Sequence, residues 1–198
     1  MTRNITIGIT GGIGTGKSVV SRVLRCNGFK VYDCDSEAKR LMRDDAHIKQ
    51  TLIDHFGKDI YLENGMINKS ALASIIFQNE KELLFVNKIV HAAVREDIER
   101  KRKDTPGLFF IESAILASSN VIKECQIVWV VNAPLKVRLK RIEARDHTSE
   151  EDIKKRINSQ RKELNLLNGV KTVNLVNDNR HPLLIKILKE TEKLENKN

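Results

Sequence analysis

Residues 5–20 read ITIGITGGIGTGKSVV, with four glycines between Gly11 and Gly16 and one lysine directly behind them. Ahead of the glycines, the run Ile5–Ile9 has the unbroken apolar character of a strand covered on both faces. Behind them, Val19, Val20, Val23 and Leu24 recur at the period of an amphipathic helix. Gly11, Gly16, Lys17 and Ser18 match the spacing G-x-x-x-x-G-K-[ST], and the order strand, loop, helix is the context that this spacing needs. Glycines let such a loop adopt positive φ and turn successive N–H groups toward phosphate oxygens, with the positive end of a helix dipole behind them. A Cβ at Gly14 or Gly16 is expected to stand where phosphate must approach. Lys17 is expected to reach the β and γ phosphates of a nucleoside triphosphate as a point charge, and the Ser18 hydroxyl to hold Mg²⁺. The nucleotide contacts predicted from the loop are therefore Gly12, Ile13, Gly14, Thr15, Gly16, Lys17, Ser18 and Val19. The plainer alternative is a glycine-rich turn with a solvated lysine, and the strand and helix on either side argue against it.

Further short apolar runs at Lys30–Tyr32, Leu108–Ile111, Ile127–Val131 and Thr172–Val176 are each followed by a turn or a helical pattern. Together they predict an α/β fold, a P-loop NTPase-type parallel five-stranded sheet flanked by helices. Between the second and third runs no comparable strand occurs. There Leu83, Val86, Val90, Ala93 and Val94 mark an amphipathic helix and suggest a helical lobe. Leu135–Leu167 reads as a second helix-rich stretch. Pro182 stands near the start of a last helix whose apolar face includes Leu184, Ile187, Leu188 and Leu194.

The chain has 198 residues, enough for one core with a modest inserted lobe. The apolar runs are far shorter than a bilayer span, and the first residues lack a signal-length apolar stretch, so a cytoplasmic protein is expected. Cys26, Cys34 and Cys125 show no CxxC pairing, and reduced, mostly buried thiols are expected. The net charge of +9 calls for an anionic partner: nucleic acid, an acidic membrane or a small phosphorylated ligand. Aromatic residues make up only 5% and do not cluster with the basic ones, which weakens the case for a nucleic-acid-dependent ATPase.

A phosphate loop supplies only the donor side of a reaction. Its Asn-Lys pairs, Asn68-Lys69, Asn87-Lys88 and Asn196-Lys197, lack the aspartate that guanine recognition needs, which weakens a GTPase reading. The second strand run leads into Tyr32-Asp33-Cys34-Asp35, at the carboxyl edge where open α/β sheets bind ligands. Only one of the two carboxylates is expected to face the phosphates, where it can take the proton from an attacking hydroxyl. The alternative is an aspartate cap on a helix starting near Ser36. Arg138, Arg141 and Arg145 share one helical face leading toward His147. Leu135–Glu163 carries ten basic residues against six acidic ones. Most of these charges belong to a solvated surface, but arginines on one face near a strand end also suit a lid. Such a lid offsets charge on a transferring phosphoryl group and excludes water. Arg141 and Arg145 are the candidates.

Four segments in this order, GITGGIGTGKS (8–18), VYDCDSEAKRLM (31–42), KRIEARDHTSEEDIKKRINSQ (140–160) and VNLVNDN (173–179), make the chain similar to the dephospho-coenzyme A kinases over nearly its whole length. The resemblance implies transfer of the γ-phosphate of ATP to the ribose 3′-hydroxyl of dephospho-coenzyme A, with Mg²⁺. It implies a core at 1–35, 108–140 and 168–198, an acceptor-binding helical lobe at 36–107 and a lid at 141–167. It selects Asp35 as the base, with Asp33 as the alternative base and both carboxylates in the acceptor site. The family arginine four positions later is Lys39 here, followed by Arg40, and the acceptor contact falls to one of these two. His91, in KIVHAAVRE, matches a family histidine that proline normally follows, where Ala92 stands here; helix packing is its alternative role. The family's Pro-Leu-Leu-x-Glu-like stretch is FFIESAILASS in this chain. Glu112, at the strand end, is the candidate to hold Mg²⁺ through water, and the downstream family glutamate is replaced near Ala117. Asn177, in NLVND, is the candidate adenine contact, with a turn role after the last strand as the alternative. Small-molecule partners alone are expected, with neither nucleic acid nor membrane, and a monomer is favoured.

Overall fold

The computed structural model describes residues 4–146, 149–167 and 169–196, so His147 lies outside the described residues. Five strands, β1 (Ile5–Thr10), β2 (Lys30–Asp33), β3 (Leu108–Glu112), β4 (Ile127–Asn132) and β5 (Thr172–Val176), form one parallel sheet in the order β2-β3-β1-β4-β5. Parallel neighbours require long crossovers, and helices supply them. They are α1 (Lys17–Cys26), α2 (Cys34–Asp44), α3 (Ala46–Phe56), α4 (Lys69–Ile76), α5 (Glu80–Lys103), α6 (Leu135–Asp146), α7 (Glu150–Ser159), α8 (Arg161–Asn165) and α9 (Leu183–Glu195).

The chain divides into two compact units. The first contains Met1–Asp33 and Arg102–Asn198, and the second Cys34–Lys101. In the first, Ile7, Ile9, Phe110, Trp129, Val131 and Leu175 build a core with Val20 and Leu24 of α1 and Ile187 of α9. The Phe110 and Trp129 rings meet edge to face at 5.3 Å, a preferred aromatic geometry. The strands β1, β3 and β4 are buried nearly throughout, as their apolar runs require, whereas the edge strand β5 buries only Leu175. In α9 the buried face is narrower than expected. Ile187 and Leu194 reach the core along with Leu183, while Leu184 and Leu188 stay exposed. The reason is angular: each lies one residue, about 100°, from a core position.

The second unit is helical, and its boundaries are set by local chemistry. Asp45 caps α3 by accepting from the His47 and Ile48 amides, and Asn68 caps α4 by accepting from Ala71. Buried Asp97 of α5 accepts from Arg40 of α2 at 2.7 Å and from Arg100. These charge-assisted bonds satisfy a carboxylate that would otherwise be costly to bury. Of the free cysteines, Cys26 is exposed, against the expectation of mostly buried thiols; Cys34 is buried, and burial pushes the Cys125 thiol up to about 12.

Candidate active site

The sheet register brings the expected strand-end residues to one edge. Glu112 of β3 pairs with Ile9 of β1 on one side and with Asp33 of β2 on the other. Beyond Thr10, residues 11–16 arch into α1. Gly14 has φ 76° and Gly16 φ 95°, the left-handed region that favours glycine. Gly16 caps α1 without a side-chain acceptor, its carbonyl accepting from the Val19 amide at 3.0 Å. The Thr15 hydroxyl donates to the Gly12 carbonyl at 2.9 Å, and Lys17 Nζ donates to the Gly11 carbonyl at the same distance. Ser18 and Val19 stand exposed on the first turn.

Beside the left-handed backbone, the structure adds a second reason for glycine. A Cβ on Gly14 would come within 2.9 Å of the Ile142 side chain, and one on Gly16 within 2.1 Å of Asn177 Nδ2. Protein packing against the loop excludes a side chain at both positions.

Glu112 is a perturbed carboxyl at the strand edge. Burial raises its pKa, the neighbouring Asp33 adds to the rise, and Lys17 and Arg25 pull it back. Ser21, fully buried, stands close enough to lower it as well, but makes no hydrogen bond of ordinary geometry among the described residues. Two carboxylates side by side at a strand edge, with the Ser18 hydroxyl opening α1, are hard oxygen donors of the kind that Mg²⁺ takes alongside phosphates. The crowding of Glu112 and Asp33 is the kind of repulsion that a cation relieves, so these residues fit the ion. Among the described residues no group of three His, Cys, Asp or Glu could hold a metal by itself.

The helices after β4 grip the loop. Arg141 of α6 donates to the Gly14 and Thr15 carbonyls at 3.4 Å, to Asn177 Oδ1 at 3.2 Å and to Asn179 Oδ1 at 2.6 Å. Asn177 Nδ2 donates to the Thr15 carbonyl at 2.8 Å. Asp178 accepts from the Arg180 and His181 amides and from the His181 ring, which holds its carboxyl well below the usual range and fixes the turn presenting both asparagines. Arg145 instead pairs with Asp146, 2.6 Å away, and no contact between it and the loop is seen among the described residues.

The remaining candidates lie in the second unit. The chain turns into α2 at Cys34, earlier than the expected start near Ser36, so Asp35 is the second residue of a helix rather than an extension of the strand. Arg40 is held by Asp97 and by Glu37 at 2.6 Å, whereas no ion pair is seen for Lys39 among the described residues. Both line a cavity of about 530 Å³ with Met42, Arg43, Leu72 and Phe77. Half-buried His91 has a lowered pKa, through burial first and Arg95 second.

Two contributors, Gln160 and Glu163, escaped the sequence reading, and a third, Arg138, entered it only as a member of the arginine face. Arg138 Nε donates to the Ile13 carbonyl at 2.8 Å, Gln160 Oε1 accepts from the Ile13 amide, and buried Glu163 accepts from the Ala117 and Ser118 amides. The shared arginine face pointed toward Arg138. Nothing local marks a glutamine or a glutamate whose partner lies far along the chain. Glu163 places a carboxylate beside Ala117, the region where the resemblance has a glutamate.

Residues 5–182 match the family model described as dephospho-CoA kinase. A dephospho-CoA kinase of Porphyromonas gingivalis is 41% identical over 194 residues, covering 98% of this chain and 96% of its own. A solved Thermus thermophilus protein superposes with a TM-score of 0.79 at 27% identity, covering 97% of this chain and 98% of its own. A dephospho-CoA kinase from Campylobacter jejuni does so at 0.70 and 22%, covering 98% of both.

Proposed function

This chain belongs to the dephospho-CoA kinase family, which phosphorylates dephospho-CoA with ATP in the final step of coenzyme A biosynthesis, and from that premise we propose how its residues divide the work. Residues 12–19 hold the ATP phosphates, Lys17 among them. The observation that carries this is the pair of left-handed glycines leading into a helix whose first residue is Lys17. Ser18 and Glu112, with Asp33 adjacent, are the residues to hold Mg²⁺, which when bound would offset charge on the β and γ phosphates. Arg141 braces the loop from α6 and supplies positive charge beside it; Arg145 joins it in the lid, 141–167, and Asn177 borders the adenine. Phosphoryl transfer asks little covalent chemistry of a protein, so positioning and charge carry most of the rate.

The second unit, Cys34–Lys101, which overlaps most of the lobe expected at 36–107, is the acceptor side. Its cavity joins an apolar floor to basic residues, which suits a ligand with a long neutral arm and a phosphorylated end. Lys39 is favoured over Arg40 for the anionic contact, because Arg40 already serves Asp97 and Glu37. His91, in the same unit, is the second candidate acceptor contact. Asp35 takes the proton of the ribose 3′-hydroxyl as its oxygen attacks the γ-phosphorus, and ADP leaves. What supports Asp35 is its place two residues beyond Asp33, the last residue of β2. The enzyme acts as a cytoplasmic monomer on small molecules alone.

Asp35→Ala should abolish turnover in a coupled ADP assay and leave ATP affinity unchanged within roughly three-fold, since a general base contributes about 10²–10⁴-fold in rate. Wild-type-like turnover by this variant would overturn the assignment. A panel of dephospho-CoA, adenosine and nucleoside monophosphates at constant ATP tests the acceptor, and turnover should be confined to dephospho-CoA.

A further inference from the structure

Ile13, in the middle of the phosphate loop, is held from three directions. Its amide donates to Gln160 Oε1 at 2.5 Å, and its carbonyl accepts from Arg138 Nε at 2.8 Å. Its side chain packs against Ile142, Ile153 and Ile157. These contacts come from α6, from α7 and from the junction between α7 and α8, where Gln160 is the single residue. The flanking glycines are covered by the same helices: a Cβ on Gly12 would meet Arg138 Nη2 at 2.5 Å, and one on Gly14 would meet Ile142. The loop's curvature at 12–14 is therefore imposed from outside the loop, by residues more than a hundred positions away.

We propose that Gln160 is a positioning residue for ATP: by holding the Ile13 amide it sets the arch of residues 12–14, so that the fit of the loop to the triphosphate depends on where α7 and α8 sit. This rests on the reading that residues 12–19 bind the ATP phosphates. A side chain that accepts one specific N–H acts through its acceptor oxygen. Removing that oxygen disturbs a backbone orientation, and keeping it in another group preserves the orientation. Gln160 is only half-buried, so an apolar replacement of similar size leaves the packing of α7 and α8 in place.

The test is steady-state kinetics on Gln160→Leu, which keeps the volume and loses the acceptor, and Gln160→Glu, which keeps an acceptor oxygen. Q160L should raise KM for ATP about five- to ten-fold, the loss expected for one hydrogen bond to a group that must stay aligned, with KM for dephospho-CoA unchanged within roughly two-fold. Q160E should restore KM for ATP to within about two-fold of the wild type. The proposal fails if Q160L keeps the wild-type KM for ATP, if both substrates' KM values rise in parallel, or if Q160E is as impaired as Q160L. Should Q160L fail to fold, Gln160→Met takes its place under the same criteria. Lys17→Ala separates this failure from that of the underlying reading. If Lys17→Ala loses ATP affinity while Q160L does not, Gln160 alone is misassigned; if Lys17→Ala also binds ATP normally, the loop is not the phosphate site.

Discussion

At Gly16 a residue chosen for conformation turns out to be chosen for space as well: φ of 95° admits glycine readily, and Asn177 occupies the position a Cβ would take. Sequence spacing revealed the first requirement, and only the fold the second. The Lys39–Arg40 pair shows the same division. Adjacent basic residues are equivalent as letters, yet Arg40 is committed to buried Asp97 by a contact from a helix 57 residues away. His91 gives a pH dependence whose sign follows from its surroundings. Burial and Arg95 lower its pKa in the folded state, so below about 6.5, the ordinary value, the unfolded chain takes up a proton that the folded one resists. Stability should be full above that pH and fall as the pH drops through it toward the folded value. In thermal melts from pH 7.5 to 5.5, His91→Asn should lose part of the slope, and an unchanged slope would remove His91 from the account.

Among the elements, the strands were the most legible. Their apolar runs located all five, and the structure extends four of them by one residue each, to Thr10, Asp33, Glu112 and Asn132. Those added residues are polar, and hydropathy patterning has no means of including them. The helix-rich stretch 135–167 was legible as helix but not as three helices. Its breaks sit where Ser149 caps α7, accepting from Asp152, and where Gln160 ends it. The helix α7 is mostly exposed and charged, with Lys154–Glu150 and Lys155–Glu151 pairs on its surface. Such pairs contribute little, about 0.3–0.5 kcal/mol each, so Ile153 and Ile157 against Ile142 hold the helix in place. Ile153→Ala removes buried volume at that one contact. It should speed amide hydrogen exchange across α7 by at least about ten-fold, while amides of β1 and β3 keep their protection. Uniform acceleration through the sheet would show instead that α7 unfolds only with the whole unit.

For the whole molecule, the proposed assignment of ATP to the first compact unit and of the acceptor to the second is one that hydrogen exchange can test. ATP should slow exchange at residues 11–19 and in α6, and dephospho-CoA should slow it in α2 and α4, which line the 530 Å³ cavity. Dephospho-CoA binding that left α2 and α4 unprotected would place the acceptor elsewhere. By itself, the sequence determined the parallel sheet, the phosphate loop, the strand-end carboxylates and the family, because each is written in local periodicity or in fixed spacing over a few residues. The tertiary structure alone decided which side chains shape that loop: Arg138, Arg141, Gln160 and Asn177 all reach it from more than a hundred residues away. Contacts of that range depend on how the chain packs, and packing leaves no local pattern in the order of residues.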